Sequence, residues 1–341
     1  MKKFLLQLAE HQSFSESEMK EAVDYILGED ISESEIAAFL MGLKSKGETV
    51  EEIVGIVKAM KANTLTFKKK IPNVLDNCGT GGDGSSSFNV STTSAFVIAG
   101  AGIPVAKHGN RSVSSKTGSA DVLEFLGVNL NLPAESIEEL LHEIGIAFLF
   151  APHVHPKLKK VMIVRRQLKI PTIFNFIGPL SNPIDLDYQL LGVYRRDLLH
   201  VFAEVLNQLG RKRAVVINGA GYMDEASLQG ENRLTILENG RISDQIIYPE
   251  DVGLPQYDNS RIKGGDPKEN ADILVNVLKG KKGAYLDTVL FNAGIGIYTA
   301  GKAPTIQAGI QLARDIIDSG VAYEKLMALV EKTRSLQKEA M

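Results

Sequence analysis

Apolar positions recur at helical spacing in the opening stretch of the chain. Ile36, Phe39, Leu40 and Leu43 form one stripe, and Ile53, Ile56, Val57 and Met60 form another. Capping-box patterns precede the helical runs at Ser15–Glu18, Ser32–Glu35 and Thr49–Glu52. Together they predict a small α-helical domain over residues 1–70, closed by the solvated triplet Lys68-Lys69-Lys70.

From Ile71 the period changes. Short apolar segments at Val74-Leu75, Ile103–Ala106, Ile146–Phe150 and Ala214–Ile217 alternate with helical patterns at Thr92–Ala101 and Ser136–Ile144. Leu286–Ala300, Thr305–Ser319 and Tyr323–Gln337 read as covering helices. The alternation predicts a larger α/β domain over residues 71–341 with a mainly parallel central sheet. The stretch 165–186 carries Pro171, Pro179 and Pro183 in a mixed apolar run, and part of it is expected to cross back to the helical domain.

Composition narrows the class. The chain has 341 residues, with 44% hydrophobic and 23% charged, which is ordinary globular usage. One cysteine excludes an intramolecular disulfide framework and a cysteine-based zinc site. The net charge of −3 gives no bulk reason to expect nucleic acid as a partner. No signal peptide fits, and no apolar run reaches the ~18 residues of a membrane span, so a cytoplasmic location and no membrane partner are expected. Glycine is enriched, at 31 of 341 residues, and its placement is informative.

One concentration is the segment Gly79-Thr80-Gly81-Gly82-Asp83-Gly84, followed by Ser85-Ser86-Ser87-Phe88-Asn89-Val90-Ser91-Thr92. It lies between a predicted strand and helix, where successive N–H groups and a helix N-terminus form an anion cradle. A Walker A reading fails because Ser85 stands where lysine is required. A dinucleotide fingerprint matches formally. However, Asp83 would face the pyrophosphate, and Gly102-Ile103-Pro104 replaces the acid expected further on.

A second polar loop follows one helix later, from Lys107 to Ser119, with three formal cations, a histidine, an amide and five hydroxyls. Two such loops in successive βα units point to a polyanionic phosphate ligand. Asp224-Glu225, after Asn218-Gly219-Ala220-Gly221, is ordinary surface composition by itself. In this company it suits Mg²⁺, which bridges carboxylates to phosphates.

These residues resemble the anthranilate phosphoribosyltransferase family. The matching motifs are Gly79–Asp83 with Phe88–Thr92, Lys107–Arg111 with Ser114-Ser115, and Gly118–Glu124. Phe174-Asn175, Gly178-Pro179-Leu180, Asn182-Pro183, Asp224-Glu225 and Ala300–Ala303 match as well. The resemblance covers essentially the whole chain and implies a nucleoside phosphorylase-like fold. It also implies transfer of phosphoribose from phosphoribosyl pyrophosphate to anthranilate with Mg²⁺, in tryptophan biosynthesis.

It further implies a phosphoribosyl pyrophosphate site at Gly79, Gly82, Asp83, Ser87, Asn89, Val90, Ser91 and Thr92. The second loop would contribute Lys107, His108, Gly109, Asn110, Arg111, Ser112, Val113, Ser114, Ser115 and Ser119. Anthranilate contacts would be Gly79, His108, Asn110 and Arg165, whose planar fork suits a carboxylate. The metal set would be Ser91, Asp224 and Glu225, and the enzyme would be a homodimer through its helical domain. No general base is assigned.

The alternatives on the same fold are a pyrimidine nucleoside phosphorylase and a non-catalytic nucleic-acid-binding relative. Asp83 and the Lys107–Arg111 block favour the transferase. The sequence departs from the family at Asn218, where histidine is expected, and at Met223 and Ser87. It also departs at Gly294-Ile295-Gly296, where glycine in a helix is expected to cost about 1 kcal/mol each relative to alanine. The lone thiol, Cys78, adjoins the first loop, so sensitivity to thiol reagents is expected.

Overall fold

The computed structural model describes residues 1–112 and 116–339. The chain opens with α1 (Lys2–Ala9), α2 (Glu16–Ile26), α3 (Glu33–Lys46) and α4 (Val50–Ala62). All three expected capping boxes form: Ser15, Ser32 and Thr49 accept from the amides of Glu18, Glu35 and Glu52, whose carboxylates return to the cap N–H groups. Glu52 is fully buried, and it also accepts from the Phe14 amide at 2.9 Å and pairs with Lys46 at 2.8 Å.

The remainder alternates strands and helices. β1 (Leu75–Gly79), α5 (Val90–Gly100), β2 (Val105–Gly109), α6 (Ser119–Phe125), α7 (Ala134–Glu143) and β3 (Ile146–Phe150) come first. Three helical pieces follow, α8 (Ala151–Val154), α9 (Lys159–Leu168) and α10 (Phe174–Ile177), and then β4 (Tyr188–Gly192). Next are α11 (Leu199–Gln208), β5 (Arg213–Asn218), β6 (Asn232–Glu238) and β7 (Arg241–Ile247). The chain closes with α12 (Pro267–Leu278), α13 (Ala284–Thr299), α14 (Ile306–Asp318) and α15 (Val321–Glu339).

The strands form one sheet in the order β3-β2-β1-β4-β5-β6-β7. The pairs from β3 through β5 are parallel, and β5-β6 and β6-β7 are antiparallel. The mainly parallel α/β domain with a helical N-terminal bundle is therefore as expected. The antiparallel extension was not anticipated. Chain order runs outward from β1 to β3 and then resumes on the other side at β4, so the switch point lies between β1 and β4. In open α/β sheets, ligands bind beside the strand carboxyl ends at such a point.

The pleat divides the core. Val215 and Ile217 join the apolar cluster with Phe96 of α5 and Phe291 of α13, whereas Ala214 and Val216 join Phe202 of α11 and Ile56 of α4. Val161, Val164, Ile173 and Ile177 belong to that second cluster, together with Phe14 and Phe39. The glycines of α13 have a packing role that sequence reasoning treated only as a propensity cost. A Cβ on Gly294 would lie 2.4 Å from Ile310 Cγ1, and one on Gly296 would lie 2.4 Å from Ile98 Cδ1.

Candidate active site

The first glycine loop leaves β1 and enters α5. Gly81, Gly82 and Gly84 have φ of 68°, 78° and 73°, the left-handed region that glycine tolerates. The loop is tied at several points. Thr80 N donates to Gly192 O at 2.9 Å, and Gly81 N donates to Asp224 Oδ2 at 2.6 Å. Asp83 Oδ1 accepts from both the amide and the hydroxyl of Ser85 at 2.9 Å. Ser87 forms a bridge to Lys263, while Phe88 N donates to Ile262 O at 3.0 Å. At the head of α5, Val90 is buried, Ser91 O accepts from Asn77 Nδ2 at 2.8 Å, and the Thr92 hydroxyl is buried without a described partner.

The second loop leaves β2. Lys107 is buried, with Nζ donating to Asn77 O at 2.9 Å and its charge close to Asp76 and Glu225. His108 Nδ1 bonds Gly178 O at 3.0 Å, which identifies Nε2 as the ring's acceptor. Burial, reinforced by the neighbouring His155, pushes the His108 pKa down to about 3. The two rings meet edge to face at 5.4 Å, and burial lowers His155 to about 4. Asn110 O accepts from Ser119 Oγ at 3.2 Å, closing the loop onto α6 through the residue after Gly109.

Arg111 is exposed and pairs with Glu124, which it grips bidentately at 2.7 and 2.9 Å, and with Asp121 at 3.0 Å. Ser112 N joins the same Asp121 at 3.1 Å. A phosphate role for Arg111 thus requires exchange of carboxylate partners. Val113, Ser114 and Ser115 lie outside the described residues.

The acidic pair arrives on a tight hairpin after β5. Gly219 N donates to Met223 O at 2.8 Å, with Gly221 and Tyr222 both at positive φ. Asp224 is buried against Asp83, and burial, then the charges of Asp83 and Glu225, raise its pKa well above the ordinary carboxylate range. Glu225 is partly buried and also raised, chiefly by desolvation, while Lys107 and the Ser91 amide and hydroxyl pull it back. Asn218, which departs from the family's histidine, supports the hairpin. Its amide donates to Val193 O at 2.8 Å and accepts from Arg196 Nε at 2.8 Å. Among the described residues, no three of His, Cys, Asp and Glu form a ready-made cation site.

Arg165 lies on α9. Its guanidinium bonds Asn175 Oδ1 at 3.2 Å, sits 5.8 Å from the Phe174 ring and has no carboxylate partner among the described residues. Burial lowers its pKa, so an anionic ligand would relieve it. His153 Nε2 bonds Leu132 O at 2.8 Å, so it is engaged structurally. Cys78 is buried and its thiol is pushed well up by burial and the charge of Asp76, which removes the basis for expecting thiol-reagent sensitivity.

Three contributors escaped sequence reasoning. The strap Lys263-Gly264-Gly265 stitches both loops: Gly264 N donates to Ser86 O at 2.9 Å, and Gly265 O accepts from Thr117 Oγ1 at 2.8 Å. Asn270 Nδ2 reinforces it by donating to Asn89 Oδ1 at 2.8 Å. Tyr194, just past β4, lies against Gly82 and stacks on Phe176 with centroids 5.5 Å apart. Arg196 buttresses the acidic hairpin. The Gly-Gly pair was the available signal for the strap; the other two had none.

A helical bundle beside a mainly parallel sheet, with a glycine-rich loop, a basic hydroxyl-rich loop and an acidic pair at its switch point, is the architecture of a glycosyltransferase class. The glycosyl transferase family helical bundle domain matches residues 2–64, and the glycosyl transferase family α/β domain matches residues 71–323. The anthranilate phosphoribosyltransferase of Listeria monocytogenes is 55% identical over 341 residues, covering 100% of this chain and 99% of that one. The crystal structure of the Thermus thermophilus enzyme of that name superposes with a TM-score of 0.92 at 39% identity, over 97% of this chain and 99% of that one. The Saccharomyces cerevisiae enzyme, in complex with phosphoribosyl pyrophosphate and Mg, gives 0.89 at 27% identity, over 98% and 97%. This chain belongs to the anthranilate phosphoribosyltransferase family.

Proposed function

We propose that this chain transfers the phosphoribosyl group of phosphoribosyl pyrophosphate to the amino nitrogen of anthranilate, in tryptophan biosynthesis. The products are N-(5-phosphoribosyl)anthranilate and pyrophosphate. The observation that carries the reading is the meeting, at the β1/β4 switch point, of the glycine loop and the Asp224-Glu225 hairpin over buried Lys107. In the reaction the bond from the anomeric carbon to pyrophosphate breaks, a bond to the amine nitrogen forms, and the nitrogen releases one proton.

The donor is held by loop N–H groups from Gly79 to Ser87, by Asn89 and by the N-terminal turn of α5 at Val90–Thr92. Lys107 supplies fixed positive charge beneath them. From the second loop, Gly109, Asn110, Arg111, Ser112 and Ser119 line the phosphate side. Arg165 takes the anthranilate carboxylate, with Gly79, His108 and Asn110 placing the ring and amine. An aromatic amine attacks as the neutral species, so orientation and electrostatics supply the catalysis and no general base is named.

Mg²⁺ fits the donor set. Ser91, Asp224 and Glu225 offer hard oxygen ligands, and burial with Asp83 close by disfavours their charged forms, which a cation would restore. When bound, the ion neutralises phosphate charge and orients the leaving group.

Residues 1–70 with part of 165–186 are read as the helical domain and residues 71–341 as the donor-binding domain. Ile173 and Ile177 share one apolar cluster with Phe14 and Phe39, as do Phe202 and Val216, so this stretch packs where the helical bundle meets the sheet. A homodimer through the helical domain is supported by Leu6 and Met41, which are 56% and 40% exposed on α1 and α3. The location proposed is cytoplasmic. The test follows anthranilate fluorescence with phosphoribosyl pyrophosphate and Mg²⁺ supplied together and singly. Loss is expected only with both. Phosphorolysis of uridine or thymidine with anthranilate untouched would overturn the reading.

A further inference from the structure

We propose that Arg196 is a positioning residue for the Asp224-Glu225 pair, and that it acts by clamping the hairpin that carries them. The inference rests on the reading of that pair as the Mg²⁺ ligands.

The hairpin needs external support. Gly221 and Tyr222 are consecutive residues at positive φ, 79° and 62°, and Tyr222 is a bulky side chain held there while 62% exposed. A non-glycine residue in this region is strained, and such strain persists only where the surroundings over-determine it. Within the hairpin, Gly219 N to Met223 O provides one main-chain closure, and Asn259 Nδ2 donates to Ala220 O at 2.9 Å on its ascending side.

Asn259 holds Ala220, and Arg196 holds the root and the Tyr222 tip, at three points on one planar group. Its Nε donates to Asn218 Oδ1 at 2.8 Å, at the root of the hairpin. Its Nη1 donates to Glu231 Oε1 at 2.9 Å. Its guanidinium carbon lies 5.2 Å from the centroid of the Tyr222 ring, a cation–π contact at the hairpin tip.

Each anchor is set in a rigid frame. The Asn218 amide donates to Val193 O at 2.8 Å and Met223 O at 3.5 Å, which fixes its oxygen toward Arg196 Nε. Glu231 is also held by Arg233 Nε at 2.9 Å, and it adjoins the buried Asn232, which bonds the carbonyls of Ser227, Gly230 and Ile247. The clamp therefore ties the root, the tip and a fixed post together, directly before Asp224. Lysine can reach one acceptor but cannot form the fork or the flat face.

The test compares wild type, Arg196→Met, Arg196→Lys and the double variant Asp224→Asn/Glu225→Gln, with thermal melts confirming that each is folded. In the free enzyme, hydrogen exchange at the Gly219 amide is expected to accelerate about tenfold in Arg196→Met, with α9 amides unchanged. In assays, the Mg²⁺ concentration giving half-maximal rate is expected to rise about tenfold or more in Arg196→Met, less in Arg196→Lys, with the anthranilate KM within about twofold. Unchanged exchange at Gly219 would overturn the clamp. So would faster exchange with an unchanged Mg²⁺ response, provided the acidic double variant does respond. If the double variant itself kept the wild-type Mg²⁺ response, the metal reading of the pair would fall, and the role proposed for Arg196 with it.

Discussion

The main-chain oxygen of Asp224 occupies the space beside Gly192 where a side chain would begin. A Cβ there would stand 1.6 Å from it. Gly79, paired with Gly192 in the β1/β4 register, receives the Asp224 carboxylate in the same way, with Oδ2 2.2 Å from its Cβ position. Two strands thus end in glycine so that the acidic hairpin can lie across the switch point. Gly192→Ala must displace Asp224, and kcat/KM is expected to fall about 100-fold or more, the cost of roughly an ångström of misplacement. Steady-state kinetics check this, and near-wild-type activity would contradict it.

Arg165→Ala is expected to raise the anthranilate KM about 10- to 100-fold, the loss of one or two charge-assisted hydrogen bonds. The KM for phosphoribosyl pyrophosphate should stay within about twofold, because Arg165 is carried by α9 and not by the glycine loop or the Lys107–Ser119 loop. An equal rise in both constants would place Arg165 elsewhere in the mechanism.

The histidine pair predicts acid sensitivity. His108 and His155 are held neutral by burial, with pKa values of about 3 and about 4, whereas in the unfolded chain they take up protons near the ordinary value of about 6.5. The unfolded state therefore binds more protons between those values. The contribution is complete above pH ~6.5 and is lost as pH falls. Asp76, raised to about 6 by burial, works in the opposite direction, so the comparison must be with a variant. Thermal midpoints from pH 4 to 7 should fall less steeply in His108→Asn/His155→Asn than in wild type. Parallel curves would remove the pair from the account.

In α13, Gly294→Ala sets two effects against each other. Helix propensity favours alanine by about 1 kcal/mol, but overpacking typically costs about 1–3 kcal/mol. The new Cβ would meet the backbone nitrogen of Ile310 at 2.7 Å as well as its side chain, and backbone cannot swing aside. Destabilisation is expected in thermal melts, and a higher midpoint would show that the helices separate more readily than their contact implies.

The parts of the site that announce themselves locally were legible in the sequence. Turn glycines, a basic hydroxyl-rich loop and capping boxes carry their physics in neighbouring residues, so the loops after β1 and β2 and the first helices could be read directly. β4 could not, because Tyr188–Gly192 follows a proline-interrupted apolar run whose period is ambiguous. The β6-β7 extension has an exposed outer strand without clean alternation. Arg196 and Tyr194 were invisible for a different reason. Their partners, Glu231 and Phe176, are distant in sequence, and a tertiary contact between ordinary residue types leaves no pattern. Arg111 shows the converse: its type suggested phosphate, while the fold supplies Glu124 and Asp121.

The stack of Tyr194 on Phe176 has a mechanical consequence. Phe176 adjoins Asn175, which holds the Arg165 guanidinium, while the Tyr194 ring rests against Gly82. The Arg165 guanidinium and the first glycine loop are thus linked through two aromatic rings. If α10 rotates against the sheet, either the rings slide apart or Gly82 follows.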